Sequence, residues 1–368
     1  MAYGTVNVDA MTTSDGYTSA GTYGFKNRII NGAFPVSQYN GTSSITYTAA
    51  GTNGGYPIDR FTVNMTVTGG SITCQQSTTA PTGFSKSFIL TNNASVTASA
   101  GQRVRIYQAI EGLNIADLNW GSASAQTVTF SFWVRSSVTG TYAGGLLNEN
   151  VDRSYVFTYT INSANTWEYK TITVAGDTSG TWPTTNGVGI YVMLDLGSGT
   201  SSNGTANTWN ASYSYKTSGS VNWAGTNGAT FYTTGWQLEK GSTATSFDYR
   251  PYGTELALCQ RYYFRAVTGD AQAISMGGYY TSSDMRTVTY FPVPMRIGPS
   301  VVSATGTDYF RMQVNGGNDT FTTLLDGGPK TPTTIMLYNN LDMSGTAGQS
   351  GFVYSNSASA SLAFNAEL

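Results

Sequence analysis

The sequence contains no histidine among its 368 residues. Without an imidazole, the chain cannot form a Ser-His-Asp triad, a histidine-ligated zinc site or a histidine general base. Any catalysis would therefore depend on carboxylates, tyrosines or a cysteine. The two cysteines are Cys74 and Cys259, and such sparse use favours buried free thiols over a disulfide bridge. No series of alternating acids suits a Ca²⁺ loop, so we expect no metal and no cofactor.

Charge is also scarce in this sequence. Charged residues make up 10% of the chain, against roughly 25% in ordinary soluble domains. The net charge is −2, the isoelectric point is near 5.2, and no run of Lys and Arg occurs. Because nucleic-acid binding depends on clustered cations that replace the counterions of phosphates, we expect no nucleic-acid partner.

Long apolar runs are absent as well. No stretch of about 18 apolar residues occurs, so we expect no insertion into a membrane. Residues 1–24 lack the basic and apolar regions of a signal peptide, which predicts synthesis and folding in a cytoplasm. This segment is small, polar and Gly-rich, and we interpret it as an N-terminal arm that becomes ordered against a partner chain.

What the chain does contain is a period-two pattern of apolar residues between residues 25 and 250. Hydrophobic residues make up 40% of the chain and aromatic residues 13%, which is enough for a substantial core. Apolar and polar side chains alternate in "DRFTVNMTVTG" (Asp59–Gly69) and in "TVTFSFWVRSS" (Thr127–Ser137). Such strands, separated by Gly, Asn and Ser turns, predict a large antiparallel β-sandwich. Within it, "GLNIADLNW" (Gly112–Trp120) suits a helical turn.

The chain beyond residue 250 is predicted to form a second, smaller β-sandwich domain over residues 251–368. Pro251 suits a domain boundary, and "TELALCQRYYFRA" (Thr254–Ala266) has the spacing of a helix that Thr254 could cap. Further strand patterns follow this helix. We therefore expect an all-β protein with an N-terminal arm, a large sandwich and a smaller one.

The connection from Gly197 to Thr230 is unusually long, and loops of this length are often functional. It has room for a short hairpin and carries aromatic residues among small polar ones. Aromatic rings stack on the apolar face of a pyranose, while amide and hydroxyl groups bind its oxygens. The glycan-binding residues predicted on this basis are Trp209, Asn210, Tyr213, Tyr215, Asn222 and Trp223, with Trp182 from a nearby turn. The alternative is that several of these rings fill the core between the sheets.

A pair of carboxylates is the natural enzyme hypothesis for a β-protein without histidine. The candidates for such a pair are Asp195 and Glu239, or Glu149 and Asp152. Glu168 has Lys170 two residues later on the same face of a strand, which favours a surface ion pair. No acid is marked as catalytic by its surroundings, so we expect no enzymatic activity.

Several segments of the sequence resemble a known protein family. They are "FKNRIINGAF" (Phe25–Phe34), "YPIDRF" (Tyr56–Phe61), "SFWVRSS" (Ser131–Ser137) and "TGWQLEKGSTATSFDYRPYGTELALCQRYY" (Thr234–Tyr263). They are similar to segments of the tail-fibre or receptor-binding proteins of tailed bacteriophages, common in phages of marine bacteria and cyanobacteria. The start "MAYGTVNVDAMTTSDG" is similar to the virion-attaching leader of those fibres.

The resemblance implies a jelly roll like that of carbohydrate-binding modules over residues 25–250, followed by a C-terminal β-domain. It implies a homotrimer in the virion tail, and residues 1–24 would attach it to other tail or baseplate proteins. The expected function is non-catalytic adhesion to a glycan of the host surface. A structural, adaptor or decoration subunit and a glycan depolymerase stay open as alternatives.

The segment Thr234–Tyr263 combines charge and aromatic residues more densely than the chain before it. Trp236 and Leu238 are predicted to point into the sandwich, and Gln237 and Glu239 away from it. We interpret the segment as scaffold at the joint between the two domains and not as a ligand site. The charged residues predicted to form a polar seam across that joint are Asp248, Arg250, Glu255 and Arg261.

Overall fold

The computed structural model describes residues 26–48 and 55–368 of the chain. The predicted arm, residues 1–24, lies outside the described residues. The chain divides into two compact units, of which the first ends at Tyr252 and includes Leu368, and the second is Gly253–Glu367. Both units are built from antiparallel sheets, so the predicted all-β fold class is confirmed. The roles assigned to residues 25–250 and 251–368 stay predictions.

The strands of the first unit form two sheets. In the part of the chain that the structure describes, they are β1 (Ile45–Thr48), β2 (Gly55–Ile58), β3 (Phe61–Met65), β4 (Ser71–Ser77), β5 (Ser87–Asn92), β6 (Val104–Glu111), β7 (Val128–Ser136), β8 (Gly140–Leu147), β9 (Ser154–Ile161), β10 (Glu168–Val174), β11 (Val188–Asp195), β12 (Thr208–Asn210) and β13 (Thr230–Lys240). The six-stranded sheet has the order β1-β4-β5-β13-β7-β10, and the seven-stranded sheet has the order β12-β9-β8-β11-β6-β3-β2. Neighbouring strands pair antiparallel throughout both sheets.

The core of the first unit lies between the two sheets, where the inward side chains meet. Phe130 and Phe132 of β7 and Trp236 of β13 are fully buried. The Trp236 ring lies edge-on to the Phe61 and Phe130 rings, with centroid distances of 5.1 and 5.2 Å. Leu238 is buried beside them, as predicted. Since burial of each such side chain stabilises the fold by about 1.5–3 kcal/mol, this layer is a major source of stability.

Helix α1 (Tyr252–Gln260) begins at the last residue of the first unit and continues into the second, where a series of strands follows. These are β14 (Tyr263–Thr268), β15 (Ala273–Thr281), β16 (Asp284–Tyr290), β17 (Ser300–Ser303), β18 (Phe310–Val314), β19 (Gly317–Phe321), β20 (Leu325–Lys330), β21 (Thr334–Asn339), β22 (Ser350–Ser355) and β23 (Ser361–Asn365). One sheet has the order β14-β23-β17, and the other has the order β19-β18-β22-β15-β16-β21-β20. Met285, Val353 and Phe364 are fully buried in a core to which both sheets contribute.

Two local predictions differ from the structure. The helix predicted over Thr254–Ala266 begins at Tyr252 and ends at Gln260, because the chain from Tyr263 pairs with β23 as strand β14. Thr254 therefore lies inside the helix and is not its cap. The long connection forms no hairpin of its own, because its described strand, β12, pairs with β9 at the edge of the seven-stranded sheet.

Two other local predictions are confirmed. The stretch predicted to contain a helical turn forms two short 3-10 helices, Gly112–Asn114 and Ala116–Leu118. Cys74 and Cys259 form no disulfide with each other, and both are fully buried. Burial raises the pKa of the Cys74 thiol far above its usual range, so this residue acts as a small apolar side chain.

Candidate functional site

The outer face of the six-stranded sheet carries a groove. Ser131 and Trp133 of β7 alternate with buried phenylalanines on the same strand, so they point away from the core. Tyr169 of β10 lies opposite Trp133 in the register and shares that face. The groove has a volume of about 390 Å³. Its aromatic lining consists of Phe84, Trp133, Tyr169, Phe247 and Tyr249.

One wall of the groove is the segment that follows β13, residues 244–249. Gln237 and Glu239 of β13 alternate with core residues as predicted, but they are 0% and 2% exposed. The side-chain oxygen of Gln237 accepts a hydrogen bond from the Asp248 backbone N–H at 2.8 Å. The Glu239 carboxylate accepts one from the Thr245 backbone N–H at 2.9 Å. These buried bonds hold the segment across the outer face of the sheet.

A glycine lets the aromatic rings lie close to the sheet. The backbone φ of Gly235 is 65°, a conformation that favours glycine. The register between β13 and β7 shifts between Thr234 and Gln237, which is typical of a β-bulge. A Cβ atom at Gly235 would lie 2.7 Å from the Phe84 ring and 3.1 Å from the Trp133 ring. A larger residue here would therefore displace the rings that form the groove.

The five rings of the groove form two packed groups. The Trp133 and Tyr169 centroids are 5.3 Å apart. Phe247 packs against Phe84 at 5.1 Å and against Tyr249 at 4.8 Å. Tyr169 is 43% exposed and Tyr249 is 58% exposed, so aromatic surface remains open to a ligand.

The groove is polar at several points, and none of the described residues that line it is charged. Thr82, Ser131 and Thr245 contribute hydroxyl groups. Within the described residues, the indole N–H of Trp133 donates no hydrogen bond. Burial raises the pKa of the Tyr169 hydroxyl, so this group stays a neutral hydrogen-bond donor. Ring faces combined with hydroxyls and an available N–H suit an uncharged, polyhydroxylated ligand.

Trp182 and Trp209, two of the residues predicted to bind glycan, come together away from this groove. Their ring centroids are 5.4 Å apart, and both rings pack edge-on against Trp120, at 4.7 and 5.3 Å. All three indole N–H groups donate to backbone carbonyl oxygens, at distances of 2.7–3.0 Å. The indole N–H groups of the cluster are therefore already hydrogen-bonded within the protein. Through Trp209, the cluster also attaches the long connection to the sandwich.

Two further predicted ligand residues, Trp223 and Tyr215, are wrong as exposed contacts, because both are fully buried. Trp223 belongs to the main core between the sheets. Tyr215 packs with Leu147 and Met193 on the outer side of the seven-stranded sheet. The physical reason is the same in both cases: the ring packs against apolar side chains of the strands, which removes it from water.

The remaining predicted residues occupy the surface of the long connection. The Asn210 side chain accepts a hydrogen bond from the Thr205 N–H at 3.0 Å and so stabilises its own turn. Asn222 is exposed and donates to the Val96 carbonyl oxygen at 3.3 Å. Tyr213 is half-buried, with its ring next to that of Tyr215. The structure thus separates the predicted residues into different places and does not gather them into one site.

Asp195 and Glu239, two of the four acids predicted as candidates for a catalytic pair, are also separated. Asp195 lies on the outer face of the seven-stranded sheet, opposite Arg105 in the register. Glu239 lies on the outer face of the six-stranded sheet, so the two carboxylates are on opposite sides of the sandwich and cannot flank one bond. Glu168 and Lys170 form the predicted ion pair at 2.7 Å. The absence of enzymatic activity stays a prediction.

Within residues 26–48 and 55–368, no group of three or more Cys, Asp and Glu side chains is arranged to hold a metal ion. No helix in the same part of the chain is long and apolar enough to cross a membrane.

Asp248 and Arg250, two of the four residues predicted to form the seam, bind the start of the first unit. The Asp248 carboxylate accepts a hydrogen bond from the Asn27 N–H at 3.2 Å. Arg250 donates to the Ile29 carbonyl oxygen at 3.2 Å. The other two seam residues belong to the second unit, and pairing across the joint stays a prediction.

The known proteins that this chain resembles are distant. No protein-family model matches the sequence, and no curated protein matches it. Among solved structures, the enzymatically active domain of tailspike protein 4 from bacteriophage CBA120 is similar at 12% identity, over 59% of this chain, with a TM-score of 0.31. This chain spans only 22% of the length of that tailspike domain.

Carbohydrate-binding modules are also among the similar structures. A family 11 module from Clostridium thermocellum, solved with a mixed-linked tetrasaccharide, has 9% identity over 56% of this chain and 99% of the module, with a TM-score of 0.26. The CBM22-1 and GH10 modules of xylanase 10B from the same organism, solved with xylohexaose, have 11% identity over 45% of this chain and 24% of theirs, with a TM-score of 0.26. At these TM-scores the likenesses carry no argument about what this chain binds.

Proposed function

We propose that this chain is a non-catalytic adhesion protein that binds an uncharged saccharide in the groove of the six-stranded sheet. The observation that carries the proposal is the pairing of the Trp133 and Tyr169 rings beside hydroxyl groups on an open sheet face. A groove of about 390 Å³ lies within the usual size range of small-ligand sites. Because its lining has no charge, a neutral sugar fits it better than an acidic one.

The proposed site includes part of the segment that the sequence suggests is scaffold. Gln237 and Glu239 hold residues 244–249 against the sheet, and the rings of Phe247 and Tyr249 border the groove as a result. The same hydrogen bonds that fasten the end of β13 therefore also position one wall of the site. The segment from β13 to residue 249 therefore has both roles, as scaffold and as part of the proposed ligand site.

The biological setting that we propose is a tailed-bacteriophage virion, in which the chain is a homotrimeric tail-fibre subunit made in the host cytoplasm. The motifs at Phe25–Phe34, Ser131–Ser137 and Thr234–Tyr263 support this setting through their resemblance to such fibres. Residues 1–24 would attach the trimer to other tail proteins. Three copies of a weak groove on one fibre would bind a cell surface with higher avidity than a single groove.

The groove is tested by removing its central rings from the full-length protein. We expect the double variant Trp133→Ala/Tyr169→Ala to lose at least tenfold in affinity for the neutral glycans that the wild type binds on an array. The expected loss follows from the apolar ring surface that the variant removes. Titration calorimetry with the best array ligand would give the affinity, and circular dichroism would establish folding.

The matched control is Trp209→Ala, which removes another half-buried tryptophan of the same unit. This variant should keep the affinity of the wild type, because the Trp209 ring packs within the tryptophan cluster. Wild-type affinity in the double variant would exclude the groove. Loss of affinity in Trp209→Ala alone would transfer the site to the long connection.

The virion setting needs separate measurements. Light scattering coupled to gel filtration should give the mass of a trimer, and gold-labelled antibodies should locate the protein at the phage tail in electron micrographs. A monomer in solution would contradict the trimer. A trimer on the particle that binds neither glycan nor host cells would identify a purely structural subunit.

A further inference from the structure

The outer face of the seven-stranded sheet holds an arginine inside a cage of tyrosines. Arg105 of β6 has its guanidinium carbon 4.9 Å from the centroid of the Tyr215 ring. The corresponding distances to the Tyr107 and Tyr213 rings are 5.2 and 5.4 Å. Arg103, two residues earlier on the same side of the strand, has its guanidinium carbon 5.1 Å from the centroid of the Tyr213 ring. Cation–π contacts of this kind attract a guanidinium to ring faces.

The caged guanidinium has no anionic partner among the described residues. Arg105 is only 8% exposed, and its Nε atom is buried without a hydrogen-bond acceptor. Its Nη1 atom faces the Met193 sulfur at 3.5 Å, which is a weak acceptor. A buried charge is normally paired with an opposite charge or with several oxygen acceptors. The rings compensate Arg105 in part, but its buried Nε donor stays unsatisfied.

The nearby acid does not fill this gap. Asp195 lies opposite Arg105 in the register, yet its carboxylate accepts hydrogen bonds from the backbone of Gly197 and Ser198 at 3.2 and 3.0 Å. Lys216 adds a further cation on this face, and its ammonium group donates to the Ser198 carbonyl oxygen. Lys216 and Asp195 attract each other, so the excess positive charge of this face comes from Arg103 and Arg105.

We propose that Arg105 anchors a second binding site, which takes the carboxylate of an acidic sugar such as a hexuronate. The planar guanidinium offers paired N–H donors that match a carboxylate, and Arg103 stands beside it as a second cation. The half-buried rings of Tyr107 and Tyr213 offer ring surface for the sugar. The site lies on the opposite side of the sandwich from the groove. The choice of a sugar rests on the proposed adhesion function. The preference for an anion does not, because it follows from Arg105 and the neighbouring Arg103.

The test is titration of the full-length protein with trigalacturonate, with neutral galactotriose and with inorganic phosphate as separate arms. We expect trigalacturonate to bind, with an affinity that falls as salt is added. In the Trp133→Ala/Tyr169→Ala variant, which lacks the groove rings, the other two should bind at least tenfold more weakly than trigalacturonate. Binding of phosphate at least as tight as that of trigalacturonate would overturn the sugar-acid assignment. No binding of either anion would overturn the site.

Two variants separate a ligand role of Arg105 from a structural one. Arg105→Met keeps the apolar stem and should weaken trigalacturonate binding at least tenfold, with a thermal midpoint equal to or above that of the wild type. Arg105→Lys keeps the charge but loses the paired donors, so its affinity for trigalacturonate should lie between those of the wild type and Arg105→Met. Undiminished trigalacturonate binding in Arg105→Met would overturn the proposal. A thermal midpoint of Arg105→Met below that of the wild type, together with unchanged binding in Arg105→Lys, would also overturn it.

Failure of this site and failure of the groove are distinguishable. A protein that binds trigalacturonate but no neutral glycan would support the Arg105 site and contradict the groove. A protein that binds neutral glycans but neither anion would contradict the Arg105 site alone. Arg135→Met is the control here, because Arg135 lies on the other outer face with its guanidinium carbon 5.0 Å from the centroid of the Tyr232 ring. Loss of trigalacturonate affinity in that variant would also overturn the assignment to Arg105.

Discussion

The two outer faces of the sandwich both carry outward aromatic rings, but they use them differently. On the six-stranded sheet, Trp133 and Tyr169 border an open groove that has no charge in its lining. On the seven-stranded sheet, the long connection brings Tyr213 and Tyr215 over Arg105, and the rings enclose a cation. Ring content alone therefore does not define a ligand site; the segment that crosses each face decides which rings stay accessible.

The largest effect that would test this contrast is the replacement of Trp223 by Ala. Trp223 sits in the long connection but belongs to the buried core, so the free energy of unfolding should fall by about 3–5 kcal/mol. Trp133→Ala, on the open face, should cost less than about 1 kcal/mol. Urea unfolding of both variants gives the comparison, and equal losses would show that the two tryptophans do not differ in environment.

The next effect concerns the bulge under the groove. Gly235→Ala should destabilise the protein by about 2–3 kcal/mol, since the new methyl group combines an unfavourable φ with a contact 2.7 Å from the Phe84 ring. It should also weaken saccharide binding because the rings must move. Thermal unfolding and calorimetry would measure the two effects.

A matched glycine isolates the contact from the backbone strain. Gly228 has a similar φ of 75°, but a Cβ atom there would meet nothing within 4 Å. Gly228→Ala should therefore cost only about 1 kcal/mol and leave binding unchanged. Should both alanine variants behave alike, the close approach of Phe84 to Gly235 would not be what shapes the groove.

The fold class could be predicted from the sequence because alternation decides which side chains enter the core. In β7, the outward position of Trp133 follows directly from the inward positions of Phe132 and Val134. Whether that face stays open could not be predicted, because it depends on the path of residues 244–249. That path is fixed by hydrogen bonds that Gln237 and Glu239 accept from its backbone N–H groups, and these two residues look like ordinary surface residues in the sequence.

The long connection shows why the predicted ligand residues failed. Trp209 and Trp223 are both surrounded by small polar residues in the sequence. In the structure, one joins a tryptophan cluster with its N–H bonded to a backbone carbonyl, and the other fills the core. The composition of a loop indicates that it is polar, but it does not indicate which of its rings pack against apolar side chains. Those neighbours come from distant strands, and their positions are set by the sheet register.

A smaller effect should follow from the hydroxyl that closes the groove wall. The Tyr249 hydroxyl donates to the Gly83 carbonyl oxygen, so Tyr249→Phe should cost about 0.5–1.5 kcal/mol in stability and loosen the wall. Tyr232→Phe is the control on the same face, because its hydroxyl makes no hydrogen bond within the described residues. Identical unfolding curves for the two variants would argue that the wall does not depend on this bond.

The smallest expected effect is a dependence of stability on pH that saccharide binding in the groove should not share. Burial opposes ionisation of Glu168, but hydrogen bonds from Lys170 and from the backbone of Asn162 and Ser163 outweigh it and lower its pKa to about 2. An unfolded glutamate titrates near pH 4.3. The stabilisation is therefore complete above that pH and is lost as the pH falls towards 2.

Wild-type stability should thus decline by about 1 kcal/mol more than that of Glu168→Gln between pH 5 and pH 2.5. Saccharide affinity between pH 5 and pH 8 should stay constant in both proteins, because the uncharged lining of the groove contains no group that titrates in that range. Unfolding by urea at a series of pH values, with calorimetry on the same samples, measures both. An affinity that follows pH in the wild type would point to a charged group in the binding site and would remove the distinction between a neutral groove and a cationic opposite face.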